Sequence, residues 1–171
     1  MDDRTSPRMM STTTLTGAWL PKIDDNFLYI FDWNSGVLRS YDISNQSTPI
    51  LQSSLPGFIF PYSSFLSGQY LYVGDNDGLK IVDVSNPNRI TLISSVAAGA
   101  GSKYGLAVRG GYAYMTDVNT GALYTFDVRS PLSPVLVNTS PSFSGPREIT
   151  ISDKELYIID SDSFDIWDIR N

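Results

Sequence analysis

An all-β fold built from four repeated antiparallel sheets is what this sequence predicts, and three observations carry the prediction. A tyrosine inside an apolar run recurs as Leu28-Tyr29-Ile30, Leu71-Tyr72-Val73, Ala113-Tyr114-Met115 and Leu156-Tyr157-Ile158, at steps of 43, 42 and 43 residues. Three residues after each tyrosine stands an aspartate (Asp32, Asp75, Asp117, Asp160), and a second closes the next apolar run (Asp42, Asp83, Asp127, Asp168). The composition is rich in aromatics, Gly, Ser and Thr and poor in Lys and Glu, which favours strands and turns over helices. Repeats of this length are supersecondary units that bury their apolar faces by stacking on one another. The predicted fold is a β-propeller with four four-stranded blades per chain.

The elements follow in order from the second copy. Ser63 to Ser67 reads as a short strand, Gly68-Gln69 as a turn, and Tyr70 to Gly74 as a second strand. Asp75 to Gly78 turns again, Leu79 to Val84 is a third strand, and Ile90 to Ser95 a fourth after the Ser85-Asn86-Pro87-Asn88 loop. Short strands separated by turn residues make an antiparallel meander. The first turn recurs as Asp25-Asn26, Gly110-Gly111 and Asp153-Lys154, residues that tolerate the positive φ of tight hairpins. Second strands such as Phe27 to Phe31 are apolar at successive positions, as strands buried on both faces are. One domain over residues 1–171 is expected, with blades at about 18–56, 61–96, 103–140 and 146–171.

The fourth copy stops at Asp168-Ile169-Arg170-Asn171, after its third strand. The N-terminal stretch Ser6 to Gly17 matches Thr48 to Gly57 and reads as a displaced fourth strand, so residues 6–16 are expected to complete the last blade. Propellers avoid raw sheet edges in this way. A second period overlies the first: Asp32 to Ile43 matches Asp117 to Val128, and Asp75 to Val84 matches Asp160 to Ile169, each 85 residues on. Blades one and three thus share a longer hairpin, and blades two and four a shorter one. The ring closes as a four-bladed monomer, as an eight-bladed ring of two chains, or as part of a longer propeller.

The run Tyr70 to Asp75 followed by Gly78-Leu79-Lys80-Ile81-Val82-Asp83-Val84-Ser85-Asn86-Pro87 resembles the LVIVD-repeat family of bacterial and archaeal β-propellers. The other copies keep the tyrosine, both aspartates and the apolar frame, and drift at the Ser-Asn-Pro loop. The resemblance implies a propeller that is secreted or at the cell surface, and it assigns no activity. The start Met1-Asp2-Asp3-Arg4 is acidic and has no apolar segment of a signal peptide. A soluble chain is expected, with its compartment open.

Composition excludes several function classes. The net charge is −6, which suits neither nucleic acid nor an anionic membrane surface, and no apolar run is long enough to span a bilayer. Histidine and cysteine are both absent, which removes the commonest general base, the commonest metal ligand and thiol chemistry. No cofactor is implied and no catalytic residue is assigned. Glu148 is an isolated acid beside Arg147, and Lys22, Lys80, Lys103 and Lys154 stand in no catalytic spacing.

The register of interest lies ten residues before each tyrosine, where Trp19, Tyr62, Tyr104 and Arg147 begin the innermost strands. They are expected to ring the axial mouth, with Phe58, Phe60, Lys103 and Phe143 nearby, and to take a glycan or a peptide. The alternative is that these rings only plug the core. Trp33, in a turn, reads as an exposed contact residue and Trp167 as packing between blades. The pairs Asp75/Asp77 and Asp160/Asp162 are weak calcium candidates against the simpler reading that Asp and Asn shape the hairpin. Asp42, Asp83, Asp127 and Asp168 are expected to cap the N–H groups of the loops after them. The function that follows is a non-enzymatic binding or assembly module with itself as one partner. The alternatives are a carbohydrate-active enzyme and a purely structural half-propeller.

Overall fold

The computed structural model describes residues 5–141 and 143–170; the acidic start Met1 to Arg4, Ser142 and Asn171 lie outside the described residues. Among the described residues fifteen strands form four antiparallel sheets, each a meander in chain order. The first holds β1 (Ala18–Asp24), β2 (Phe27–Asp32), β3 (Val37–Asp42) and β4 (Ile50–Pro56). The second holds β5 (Ser63–Ser67), β6 (Tyr70–Asp75), β7 (Gly78–Asp83) and β8 (Thr91–Ala97). The third holds β9 (Leu106–Arg109), β10 (Tyr112–Asp117), β11 (Ala122–Asp127) and β12 (Val135–Pro141). The fourth holds β13 (Glu148–Ser152), β14 (Glu155–Ile159) and β15 (Phe164–Asp168).

The turns are those the residues allow. Asp25, Gly68, Gly110 and Asp153 have φ of 48°, 54°, 60° and 52°, one at each first hairpin. The 85-residue period is present in the hydrogen bonds. Gly36 N–H donates to Asp32 O and Gly121 N–H to Asp117 O, while Phe58 and Phe143 donate back to Gly36 and Gly121. In the shorter hairpins Asp75 pairs with Gly78, and Asp160 N–H donates to Ser163 O. The four closing aspartates behave alike: Asp42, Asp83, Asp127 and Asp168 each accept the N–H two residues on, at 2.8–3.1 Å.

Three cores hold the sheets together, one per interface. Tyr29, Phe31 and Leu38 of the first sheet pack on Leu71, Val73 and Val82 of the second. Tyr72, Leu79 and Ile81 pack on Ala113, Met115 and Phe126. Tyr114 and Leu123 pack on Leu156 and Ile158, with Trp167 against them as the interblade residue. The repeated tyrosine therefore works between blades, and the Tyr29 hydroxyl donates to Val84 O at 3.2 Å in the next blade. Burial pushes that phenol up to about 12, with Asp24 adding to the shift.

One expectation differs from the structure. The fourth sheet has three strands, and residues 5–17 form no strand, so the N-terminal segment does not complete the last blade within this chain. Its Ser11 hydroxyl bonds to Gln46 O in the first blade instead, at 2.7 Å. The physical reason is reach: among the described residues no core joins the fourth sheet to the first, so β15 and the N-terminal segment have no common interface. Pro21 falls where the β1–β2 register slips between Trp19 and Lys22, on an edge strand where its missing N–H costs nothing.

Candidate functional site

The inner strands pack in succession, β1 on β5, β5 on β9 and β9 on β13. They line an axial cavity of about 510 Å3, to which all four sheets contribute. Trp19, Tyr62, Tyr104 and Arg147 stand at the starts of these strands. Tyr62 and Arg147 lie just ahead of β5 and β13, yet their N–H groups still donate to Gly74 O and Ile159 O of the second strands.

The structure brings all four predicted residues into one arc. Trp19 meets Trp33 edge-on at 5.9 Å, Trp33 meets Tyr62 at 5.2 Å, and Tyr62 meets Tyr104 at 5.2 Å. The Arg147 guanidinium lies over the Tyr104 ring at 5.9 Å and closes the series. Phe60 joins from the side, 5.6 Å from Trp33. Trp19, Tyr104 and Phe60 are 44%, 37% and 50% exposed, so these rings face solvent rather than fill a core. A second cavity of about 350 Å3 opens among Gly17, Ala18, Trp19, Trp33 and Tyr104.

Backbone strain sits at the same place. Leu20 and Phe60 have φ of 52° and 55°, a region bulky side chains rarely adopt. Leu20 lies in the β1 bulge directly after Trp19, and Phe60 carries its own ring into the cluster. Such conformations persist only where surrounding structure enforces them.

Of the neighbours expected at the mouth, only Phe60 is there. Phe58 is buried edge-on against Phe31, and Phe143 packs on Trp167. Lys103 is wholly buried, 2.8 Å from Asp117, 3.0 Å from Gly99 O and 5.6 Å over the Tyr124 ring. Expected near the axial mouth, it is drawn inward instead by the buried Asp117 carboxylate. Trp33 is half-buried at the centre of the arc rather than an isolated surface ring.

The first set of aspartates anchors the loops beneath this arc. Asp32 takes Arg39 at 3.2 Å, Asp117 takes Lys103, and Asp75 takes Lys80 together with the Ile59 N–H at 2.9 Å. Asp160 receives N–H groups from Ser144, Gly145 and Ser161 at 2.9, 2.6 and 2.8 Å. Burial acts to raise the pKa of Asp160, and these N–H groups outweigh it and hold the acid below its usual range. Asp32 is held low in the same way, burial being outweighed by Arg39 and Ser35. The simple hairpin reading fits Asp117, which accepts Asn119 N–H two residues on, and in part Asp32, which accepts Ser35 N–H three residues on at 3.3 Å. For the calcium candidates, Lys80 reaches both Asp75 and, at 3.4 Å, Asp77, so a cation of the chain itself stands at that pair. Asp160 is occupied by N–H donors, and Asp162 is exposed. Among the described residues no group of three or more acids is placed to hold a metal ion. Nor is any helix among them long and apolar enough to cross a membrane.

A sequence model of the LVIVD repeat matches residues 21–55, 65–98 and 100–140. The chain belongs to the LVIVD-repeat family. No curated protein is significantly similar to it in sequence. Among solved structures, the computationally designed Ika4 protein superposes with a TM-score of 0.77 at 14% identity, covering 96% of this chain and 99% of its own. The designed Ika8 protein gives 0.73 at 13% identity, over 89% of this chain and 46% of its own. The Cps50 (Swd1) β-propeller domain of Myceliophteria thermophila gives 0.69 at 16% identity, over 84% and 50%. The LVIVD-repeat chain thus has a propeller fold and spans about half the length of the last two.

Proposed function

We propose that this LVIVD-repeat protein is a binding module that performs no chemistry, and that its ligand surface is the aromatic arc at the axial mouth. The observation that carries this reading is the unbroken series Trp19, Trp33, Tyr62, Tyr104 and Arg147, drawn from all four blades and partly open to solvent. Flat rings supply apolar contact at low entropic cost, and a guanidinium selects a carboxylate. An acidic glycan lying across the rings satisfies both. A carbohydrate-cleaving enzyme needs two carboxylates about 5–10 Å apart. Among the described residues lining the axial cavity, Glu148 is the sole acid.

The ring that frames the mouth is completed, in this reading, by a second copy of the chain. With 89% of this chain covering 46% of the designed Ika8 protein, the chain corresponds to about half of that structure, which supports a ring of two copies.

The test is binding to a glycan array, followed by titration read through tryptophan fluorescence. Trp19→Ala with Tyr62→Ala is expected to weaken binding by tenfold or more, the effect of removing interface hot spots. Arg147→Ala is expected to lose acidic glycans selectively. Full affinity in the double variant would remove the arc as the site.

A further inference from the structure

Residues 6–16, which form no strand in this chain, already occupy the place of a fourth strand. One hydroxyl bond ties each of the outer strands β4 and β8 to the following blade: Ser53 Oγ donates to Pro87 O at 3.0 Å and Ser94 Oγ to Pro131 O at 2.6 Å. Both serines directly follow the bulge residue that outer strands β4 and β8 carry against the third strand. The acceptors lie at one position of the loop after each third strand. Gln46 is that position in the first blade, and Ser11 reaches it at 2.7 Å. The segment therefore stands against the first blade as β4 stands against the second. What is missing is the blade to which it belongs.

Two faces are unpartnered in the same sense. On the second blade, Leu79 and Ile81 face the third blade and are fully buried. Their counterparts on the fourth blade, Phe164 and Ile166, are 70% and 57% exposed beside a shallow apolar cavity. On the first blade, Leu28 and Ile30 occupy the positions of Leu71 and Val73 and are only half-buried. Each exposed face has the composition of a buried interblade face, and each complements the other.

We infer that two copies exchange N-terminal segments. The segment of each chain pairs with β15 of its partner, and Phe164 and Ile166 of one copy pack on Leu28 and Ile30 of the other. The register follows from Arg39 opposite Ser54 and Lys80 opposite Ser95, which sets Thr12 opposite Asp165 of the partner subunit. The dyad then runs along the propeller axis, both junctions are identical, and every blade has four strands. The exchange also completes the mouth: Arg147, stacked on Tyr104, gains the partner's Trp19 on its other side. This inference specifies the two-copy reading above and rests on it for the number of blades.

The full chain is measured by light scattering, and its mass is expected to be twice the 18.9 kDa of one chain. Ile166→Asp, at a residue already exposed in the single chain, is expected to halve that mass with the circular dichroism of the sheets retained. The protein has no cysteine, so Thr12→Cys with Asp165→Cys is expected to give on oxidation a species of two covalently linked chains. A wild-type mass of one chain overturns both the exchange and the two-copy ring. A dimer whose cysteines fail to link, or link only within one chain, overturns the exchange alone. If Ile166→Asp does not fold, the cysteine pair decides. Neither result bears on glycan binding by the arc of a single copy.

Discussion

Lys103→Met is the substitution with the largest consequence that the structure specifies. Lys103 and Asp117 are both fully buried, and their charged atoms are 2.8 Å apart. At that separation, with an effective dielectric of about 20, the attraction is about 6 kcal/mol. Desolvation of both ions offsets much of it, so the pair as a whole adds little. Removing one partner is different, because Asp117 stays buried with only the Asn119 N–H to satisfy it. The expected loss is about 3–5 kcal/mol, or about 6–20 °C in Tm for a domain of this size.

The assay is thermal and urea unfolding by circular dichroism at one fixed protein concentration, since assembly makes Tm concentration-dependent. Arg109→Ala is the control: its bond to Asp153 is 3.9 Å long and exposed at both ends. It is expected to cost less than about 1 kcal/mol. Lys103→Met with Asp117→Leu is expected to recover much of the single-variant loss, since no lone charge remains. A drop in Lys103→Met no larger than in Arg109→Ala would refute the assignment of this pair as a buried anchor. The loop it fixes carries Tyr104, so the same variant is expected to weaken ligand binding at the mouth.

Three further outcomes follow from the geometry. Gly36 and Gly68 have similar φ, 62° and 54°, but a methyl group on Gly36 meets the Phe58 carbonyl while one on Gly68 meets open space. Gly36→Ala is therefore expected to cost about 1–3 kcal/mol more than Gly68→Ala in urea unfolding. Asp32, Asp42, Asp127, Asp160 and Asp168 are all held below the usual carboxylate range, Asp127 at about 2 by its bonds to Arg129. Their contribution is present above the unfolded value of about 4 and is lost as pH falls through the folded values, so Tm is expected to decline from pH 4 toward 2; a flat profile there would contradict it. Tyr29 has the opposite sign. With its phenol raised to about 12, its contribution is complete below about pH 10 and disappears as pH rises through 12. Tyr29→Phe is expected to flatten the alkaline limb of the Tm profile.

The architecture was legible because its signals are periodic. Tyrosine, turn and aspartate recur at fixed offsets, and the hairpin turns, the 85-residue alternation and the four closing aspartates are all present in the structure. The mouth was legible for a related reason: one register, once placed on the inner strands, must surround the axis. The counter-charges of the turn aspartates were not legible. Arg39 and Lys80 come from the third strand, whereas Lys103 comes from an incoming loop and replaces the residue that Tyr124 occupies. No fixed spacing links an aspartate to cations that approach from different elements. Trp33 was placed too far into solvent because its turn position says nothing of Trp19 from its own blade and Tyr62 from the next converging on it.

Repetition itself separates fold from function in this chain. Positions that are the same in every blade do the same structural work wherever a following blade is present: Tyr29, Tyr72 and Tyr114 pack between sheets, and the second aspartate caps a loop in all four blades. A position that serves only the fold has no physical reason to differ among blades whose backbones superpose in pattern. The register at the mouth does differ, running Trp19, Tyr62, Tyr104, Arg147, although each lies within two residues of the start of an inner strand. A packing role alone would not set a guanidinium where its neighbours set rings, least of all at a half-open site with two strained residues nearby. The departure from symmetry ends in an Arg that stacks on one side and is open on the other. In the proposed two-copy ring that open side faces the partner subunit, which ties ligand recognition at Arg147 to assembly.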